Sequence, residues 1–225
     1  VCLFPGQGSQ RVGMGADLAA TYAVARQVFE EADERLGVAL SRLCFEGPEE
    51  RLQLTEYAQP AILTASIAVY RVLAERVALR PVAVAGHSLG EWSALVAARV
   101  LAFGDAVAGV RERGRLMQEA VPPGRGAMAA VMGLDADTVA ALCVEAAGTE
   151  VCAPANLNGG GQVVVAGDTK AVARFVALAG ARRARVRLLP VSAPFHCALM
   201  EPAAVGLGCY LAGVGFREPV LPVFT

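Results

Sequence analysis

Only two histidines, His87 and His196, and a single tryptophan occur in the 225 residues of this chain. They lie far apart in sequence, and neither has a second ligand at the spacing metal sites use, which argues against a metal centre. The six cysteines, Cys2, Cys44, Cys143, Cys152, Cys197 and Cys209, form no Cys-x-x-Cys pair and sit mostly in apolar surroundings. That scatter fits buried free thiols in a reducing, cytoplasmic compartment better than a disulfide framework. Charged residues make up 18% and the net charge is −1, too little of either sign for a nucleic-acid or membrane-surface partner. No apolar run reaches the length of a membrane span, and no basic-then-apolar signal peptide opens the chain. Val1 reads as the start of a buried strand, so initiating residues are expected before it. What the chain has in abundance is small and apolar. Hydrophobic residues reach 55% and glycine 24 positions, enough to bury one fair-sized core or two small ones.

Hydrophobic periodicity divides the chain into two kinds of pattern. Val1-Cys2-Leu3-Phe4 predicts a short buried strand, followed by a Gly-rich turn and a helix over 16–36. A short segment follows at 48–52, then a long apolar helix over 60–77 with Pro60 at its first position. A strand over 82–85 and helices ending near 99 and spanning 103–120 come next. Past Pro122-Pro123-Gly124 the order becomes strand 127–134, helix 136–147, strand 151–156, strand 162–166, helix 170–179 and strand 183–188. That order is β-α-β-β-α-β, the ferredoxin-like arrangement, with Gly159-Gly160-Gly161 in its central connection. The prolines at 122, 123 and 190 bound it as an insert. The expected organisation is a large α/β subdomain made of 1–122 and 190–225, interrupted by a small ferredoxin-like subdomain at 123–189. A loop at 191–196, a helix over 197–211 and a buried strand over 219–225 complete the chain.

The chemistry centres on Gly86-His87-Ser88-Leu89-Gly90. Strand, Gly-x-Ser-x-Gly turn and helix together make a nucleophile elbow, in which glycines two residues either side leave room for a strained serine. The helix that starts there points backbone N–H groups at whatever sits on the serine oxygen. Serine needs a base, and histidine is the usual one. His87 adjoins Ser88, but neighbouring side chains leave an elbow in different directions. His196, in a Pro-containing loop, is therefore the candidate base, against the alternative of a structural histidine beside a helix start. No acid completes a triad: Asp105, Asp135, Asp137 and Asp168 sit at apparent helix starts, where capping explains them. A Ser88–His196 dyad oriented by a neutral group such as a backbone carbonyl is the expected arrangement.

Other residues admit two readings each. In Pro5-Gly6-Gln7-Gly8-Ser9-Gln10 the glycines let the Gln7 backbone approach a ligand, so its N–H is a candidate oxyanion donor beside that of Leu89. The alternative is a polar turn. In helix 103–120 the residues Val107, Val110, Gly114 and Met117 form one face, with Arg111, Arg115 and Gln118 toward solvent. Arg113 falls at the buried edge, where a charge needs an anionic partner. That partner is either a substrate carboxylate, matched by the guanidinium fork, or a buried acid of the chain itself. Arg183, Arg185 and Arg187 alternate with apolar residues to give a strand with one basic face, either solvated or docking an acidic partner. Asn156 and Asn158 flank a strand end and are turn formers or site contacts.

Taken together, Phe4-Pro5-Gly6-Gln7-Gly8-Ser9-Gln10, Gly86-His87-Ser88-Leu89-Gly90-Glu91, Gln59-Pro60-Ala61 and Arg113-Gly114 resemble the malonyl-CoA:acyl carrier protein transacylases and the related polyketide synthase acyltransferases. So do Gly126-Ala127-Met128-Ala129-Ala130-Val131, Gln162-Val163-Val164-Val165-Ala166-Gly167 and Val191-Ser192-Ala193-Pro194-Phe195-His196-Cys197. The resemblance covers nearly the whole chain in order. It implies that Ser88 is acylated by malonyl-CoA with His196 as base, and that the N–H groups of Gln7 and Leu89 hold the oxyanion. Arg113 would clamp the malonyl carboxylate, with Gln59, Phe195, Asn156 and Asn158 among the substrate-binding residues. The acyl group would pass to the phosphopantetheine thiol of an acyl carrier protein without metal or redox cofactor, on a monomeric enzyme.

Three departures stand out. Stand-alone bacterial members commonly have a small residue before the histidine; Phe195 is similar to malonyl-selective polyketide domains, where a bulky ring disfavours a methyl branch. Gly159-Gly160-Gly161 replaces a turn containing proline. Relatives continue past Thr225 with further strands and helices, including the carbonyl that orients the histidine, so the resemblance implies a truncated C-terminus. The competing readings are a serine hydrolase of the thioesterase class and an inactive truncated domain that only binds carrier protein.

Overall fold

A computed structural model of the chain describes residues 1–122, 124–191 and 193–225. Pro123, expected at the edge of the insert, and Ser192, expected in the loop before His196, lie outside the described residues. The chain resolves into two compact units, Val1–Arg115 with Leu207–Thr225, and Leu116–Gly206.

In the first unit, β1 (Cys2–Phe4), β2 (Val84–Gly86) and β7 (Val223–Phe224) form a parallel sheet in the order β1-β2-β7, with Phe4 opposite Gly86. The helices are α1 (Ala16–Thr21), α2 (Ala23–Leu36), α3 (Leu40–Glu46), α4 (Glu49–Leu52), α5 (Thr55–Val77), α6 (Leu89–Ala97) and α7 (Phe103–Ala120), the last crossing into the second unit. Phe4 and Val84 pack with Ala94 and Ala97 of α6, while Phe29, Leu40, Ile62, Leu63, Ile67, Val107 and Val110 make the helical core. The strand alternation puts Leu3 and Phe224 on the other sheet face, where they are 77% and 63% exposed. The expectation that both strands are fully buried is therefore corrected: α6 covers only one face, and period-2 geometry sends alternate side chains away from it.

The helix expected over 16–36 is broken at Tyr22, whose extended backbone (φ −120°, ψ 122°) ends α1 and begins α2. α3 leaves no clear signal in the sequence, since its seven residues are too short for a period. α5 starts at Thr55, so Pro60 stands inside the helix rather than at its first position. Proline there removes one i→i−4 bond, but only near the helix start, where little of the ladder is lost. On α7 the expected face is buried, with Val107 and Val110 at 0% and Met117 at 7% exposure. Gln118 departs from expectation. It is half-buried, and its Oε1 has no hydrogen-bond partner among the described residues.

The second unit contains β3 (Gly126–Met132), α8 (Ala136–Ala147), β4 (Cys152–Gly159), β5 (Gln162–Asp168), α9 (Thr169–Ala181) and β6 (Arg185–Leu188). Its sheet is antiparallel in the order β4-β5-β3-β6, the ferredoxin-like topology. Val131, Val163 and Val165 pack under α8 and α9 against Leu142 and Phe175. Met128 and Ala166, an odd number of residues from Val131 and Val165 and so on the other face, pack with Met117, Phe195 and Met200. A 3-10 turn (Ala198–Met200) leads into α10 (Glu201–Leu211), where a single helix was expected from 197. The expected strand over 219–225 shrinks to β7, because only Val223 and Phe224 pair with β2.

The acids expected as helix caps sort differently. The Asp135 carboxylate accepts from Thr138 N–H at 2.7 Å and caps α8. Asp105 lies in the first turn of α7 and pairs with Arg35 at 3.0 Å. Asp168 precedes α9 but makes no side-chain cap; it accepts from Val151 N–H at 2.9 Å and from Arg125 at 3.4 Å.

Candidate active site

The end of β2 and the start of α6 put Ser88 at φ 54°, ψ −103°. A left-handed φ on a non-glycine residue costs about 1–3 kcal/mol and persists only where the surroundings impose it. Here the imposing contacts are backbone against backbone. A Cβ on Gly86 would lie 1.9 Å from Gly90 C, and one on Gly90 would lie 2.2 Å from Phe4 O. Only glycines allow β1, the elbow and α6 to approach this closely.

The turn aims its neighbours apart. His87 is exposed, and its N–H donates to Phe4 O at 3.2 Å. Its Nδ1 lies against Gly6, where an added Cβ would come within 2.9 Å. The first turn of α6 is bonded through Gly90 N–H to His87 O at 2.9 Å and Glu91 N–H to Ser88 O at 3.1 Å. Neither Leu89 N–H nor Gln7 N–H donates to another backbone or side-chain group among the described residues. Both therefore remain able to hold an oxygen anion.

The Gly-rich loop after β1 is tied down by its own side chains. Gly8 N–H donates to Gln10 Oε1 at 2.8 Å, Ser9 Oγ donates to Gly6 O at 2.9 Å, and Gln10 Nε2 donates to Gln53 at 2.5 Å. Gln7 Nε2 donates to Thr55 Oγ1 at 3.2 Å, linking the loop to the start of α5. Thr55 has no signal of its own in the sequence. A buried threonine at a helix start reads as structural until its partner, 48 residues away, is known.

Arg113 is where α5, the elbow and α7 meet. Its Nη2 donates to Ser88 Oγ at 3.1 Å and its Nη1 to Gln59 Oε1 at 2.6 Å. Gly114 makes this possible: a Cβ there would lie 2.6 Å from Thr55 O and 2.7 Å from Glu56 Cα, so α7 and α5 touch through backbone. Burial pulls the guanidinium below its ordinary pKa, and the nearby Glu91 carboxylate pushes back. Among the described residues Arg113 makes no ion pair. Of the two readings its sequence position allowed, the internal salt bridge is thus not the one found.

In the second unit His196 follows Pro194 and Phe195 with φ 60°. Phe195 is buried at 7% exposure in the cluster with Met128 and Met200, which fixes the loop from one side. Pro194 packs on Gly126, where a Cβ would lie 2.3 Å from the ring. Asn156 and Asn158 lie on β4, with Asn156 opposite Val164, and Asn158 Nδ2 donates to Gln162 Oε1 at 2.8 Å across the hairpin. Arg185 and Arg187 are exposed on the edge strand β6. Among the described residues there is no group of three or more His, Cys, Asp or Glu that could hold a metal ion, and no helix long and apolar enough to cross a membrane.

A strained serine elbow on a parallel sheet, followed by a ferredoxin-like unit, is the architecture of an acyltransferase; residues 1–222 match the acyl transferase domain. Over 224 residues the chain is 53% identical to the malonyl CoA-acyl carrier protein transacylase of Escherichia coli strain K12, covering 98% of this chain and 72% of the relative. It is 49% identical to the transacylase of the same name from Bacillus subtilis strain 168 over 228 residues, 99% of this chain and 71% of the relative. Among solved structures, an acyl carrier protein S-malonyltransferase from Vibrio cholerae superposes with a TM-score of 0.96 at 51% identity, covering 99% of this chain and 73% of that one. A malonyl-transacylase in complex with a type II polyketide synthase acyl-carrier protein superposes at 0.96 with 48% identity, covering 99% and 72%. The chain belongs to the malonyl CoA-acyl carrier protein transacylase family.

Proposed function

We propose that this acyltransferase moves a malonyl group from malonyl-CoA to the phosphopantetheine thiol of an acyl carrier protein, in fatty acid or polyketide synthesis, through a malonyl ester on Ser88. The observation that carries the reading is the Arg113 guanidinium, set 3.1 Å from the Ser88 hydroxyl with no carboxylate paired to it among the described residues. A partly buried cation beside a nucleophile, with no carboxylate in direct contact among the described residues, favours an acyl group that brings its own.

In the proposed route His196 takes the Ser88 proton as Oγ attacks the thioester carbonyl. The N–H groups of Gln7 and Leu89 stabilise the tetrahedral oxyanion, a contribution commonly worth about 3–4 kcal/mol per donor. The CoA thiolate leaves with the proton from His196, and the malonyl ester remains. The carrier's thiol then gives its proton to His196 and attacks the ester carbonyl, and Ser88 leaves with that proton returned from His196. The first half-reaction exchanges a thioester for an oxygen ester and the second exchanges that ester for a new thioester, with no change of oxidation state, so no redox cofactor or metal is required. Arg113 holds the malonyl carboxylate throughout, and Phe195 restricts the space beside the α-carbon. Asn156 and Asn158 are proposed to contact the thioester arm. In this reading the large subdomain (1–122 and 190–225) carries the nucleophile and the histidine loop, and 123–189 forms the small subdomain.

Incubation with malonyl-CoA followed by intact-mass and peptide analysis tests this. A malonyl adduct on Ser88 that disappears on adding carrier protein, with malonyl-carrier formed in its place, is the expected result. Release of free malonate without transfer would identify a hydrolase. Carrier binding without any adduct would identify an inactive binding domain. A label retained in Ser88→Ala would remove Ser88 from the mechanism.

A further inference from the structure

Gln59 has no solvent exposure, yet it points its amide oxygen at a cation. A carboxylate at the same place would satisfy the guanidinium better, since charge-assisted bidentate pairs are the strongest hydrogen bonds available to arginine. The chain instead places a neutral acceptor 2.6 Å from Arg113 Nη1 and a neutral hydroxyl 3.1 Å from Nη2. Arg113 is therefore fixed in direction by groups that leave its charge intact. The fork cannot rotate without giving up a short, buried bond, and the backbone contact of Gly114 with Thr55 and Glu56 keeps the two helices at that separation. Glu91, on the first turn of α6, acts on Arg113 through space without forming an ion pair with it.

We propose that Gln59 is a positioning residue that sets the acyl-group selectivity of this site: it aims the Arg113 fork across Ser88 without neutralising it, so that the missing counter-charge has to be the free carboxylate of the acyl group. This rests on the malonyl-transfer reading above and gives Gln59 its action through Arg113 instead of through substrate contact. Two consequences differ in kind. A carboxylate in place of the amide keeps the aim but cancels the charge, turning a carboxylate-demanding site into one suited to neutral acyl groups. An apolar side chain of the same length keeps the charge but loses the aim.

The test is acyl loading of Ser88 from malonyl-CoA and from acetyl-CoA, with kcat and KM for each, in the wild type, Gln59→Glu and Gln59→Met. Melting followed by circular dichroism confirms that each variant folds. For Gln59→Glu the malonyl-to-acetyl ratio of kcat/KM should fall by about tenfold to a hundredfold, mainly through malonyl KM, with acetyl loading unchanged or improved. Gln59→Met should raise malonyl KM by roughly tenfold with less than about a threefold change in acetyl loading. If Gln59→Glu does not fold, the Gln59→Met ratio decides alone. Equal losses on both substrates, or an unchanged ratio in a folded variant, would overturn the proposal while leaving malonyl transfer standing. A wild type that loads no malonyl group would instead overturn the reading on which it rests.

Discussion

The Arg113 guanidinium donates to the Ser88 hydroxyl at 3.1 Å, across 25 residues of sequence. A cation bonded to the oxygen of an elbow serine restrains the hydroxyl, and in the proposed route it is the group that receives the carboxylate of the acyl group. With no carboxylate paired to it among the described residues, the guanidinium is held by two neutral hydrogen bonds, the longer of which, to Ser88, is the one an incoming carboxylate would replace.

Replacing Arg113 separates charge from geometry. Arg113→Ala should reduce malonyl loading by about a hundredfold, the scale of a lost charge-assisted pair, while sparing or improving acetyl loading. Arg113→Lys keeps the charge without the fork and should fall between the two. Steady-state loading with both thioesters decides it, and equal losses on the two would rule out a carboxylate clamp.

Ser88→Gly should make the protein more stable and unable to form the acyl adduct. Glycine adopts φ 54°, ψ −103° without the strain serine carries, so urea unfolding should shift by up to about 1 kcal/mol in favour of the variant. A less stable Ser88→Gly would mean the serine side chain contributes more to packing than its backbone costs.

Gly114→Ala tests the helix contact that brings Arg113 and Gln59 together. The added methyl would meet Thr55 O at 2.6 Å, so the helices must separate. A loss of about 1–3 kcal/mol in urea unfolding is expected, as for other overpacked sites. The remaining folded protein should show a higher malonyl KM, because Gln59 no longer reaches the guanidinium.

The thiols should differ sharply toward iodoacetamide at pH 8. Burial, helped by Asp33, pushes Cys44 up to about 12, so almost none of it is thiolate and none is accessible. Cys209 is exposed and should be labelled first. Peptide mass analysis over time should find Cys44 modified only after denaturant is added.

Asp135 supplies a pH signature. Its bonds to Thr138 hold the carboxyl below its ordinary value of 3.8. A depressed folded-state pKa stabilises fully above the unfolded value and is lost as pH falls through the folded one. Wild type should thus melt higher than Asp135→Asn near neutrality, and the gap should close below pH 3.8. A gap that persists in acid would assign the difference to the amide's own effect on the cap.

Much of the fold is legible along the chain because its signals are local. The elbow needs only a strand, two glycines and a helix start within a few residues. The ferredoxin-like unit announces itself through alternation switching to helical period and back, which is set by the immediate neighbours of each residue. Misreadings arose where local signals were weak or shared. α3 is too short to show a period, Tyr22 breaks a pattern that looks continuous, and Pro60 resembles a helix start although the helix begins at Thr55. The exposure of Leu3 and Phe224 is not legible because composition does not say which face of a sheet is covered.

By itself, then, the sequence determined the serine turn, the order of elements and the family, all properties of contiguous residues. Tertiary structure alone decided the company each polar group keeps. Arg113 meets Gln59 from 54 residues away, Gln7 meets Thr55 from 48, and Asp168 answers Val151 and Arg125 in place of capping its own helix. Such pairings depend on how closely two helices or strands approach, and that distance is set by packing at Gly114, Gly86 and Gly90, where the absence of a single carbon lets backbone touch backbone.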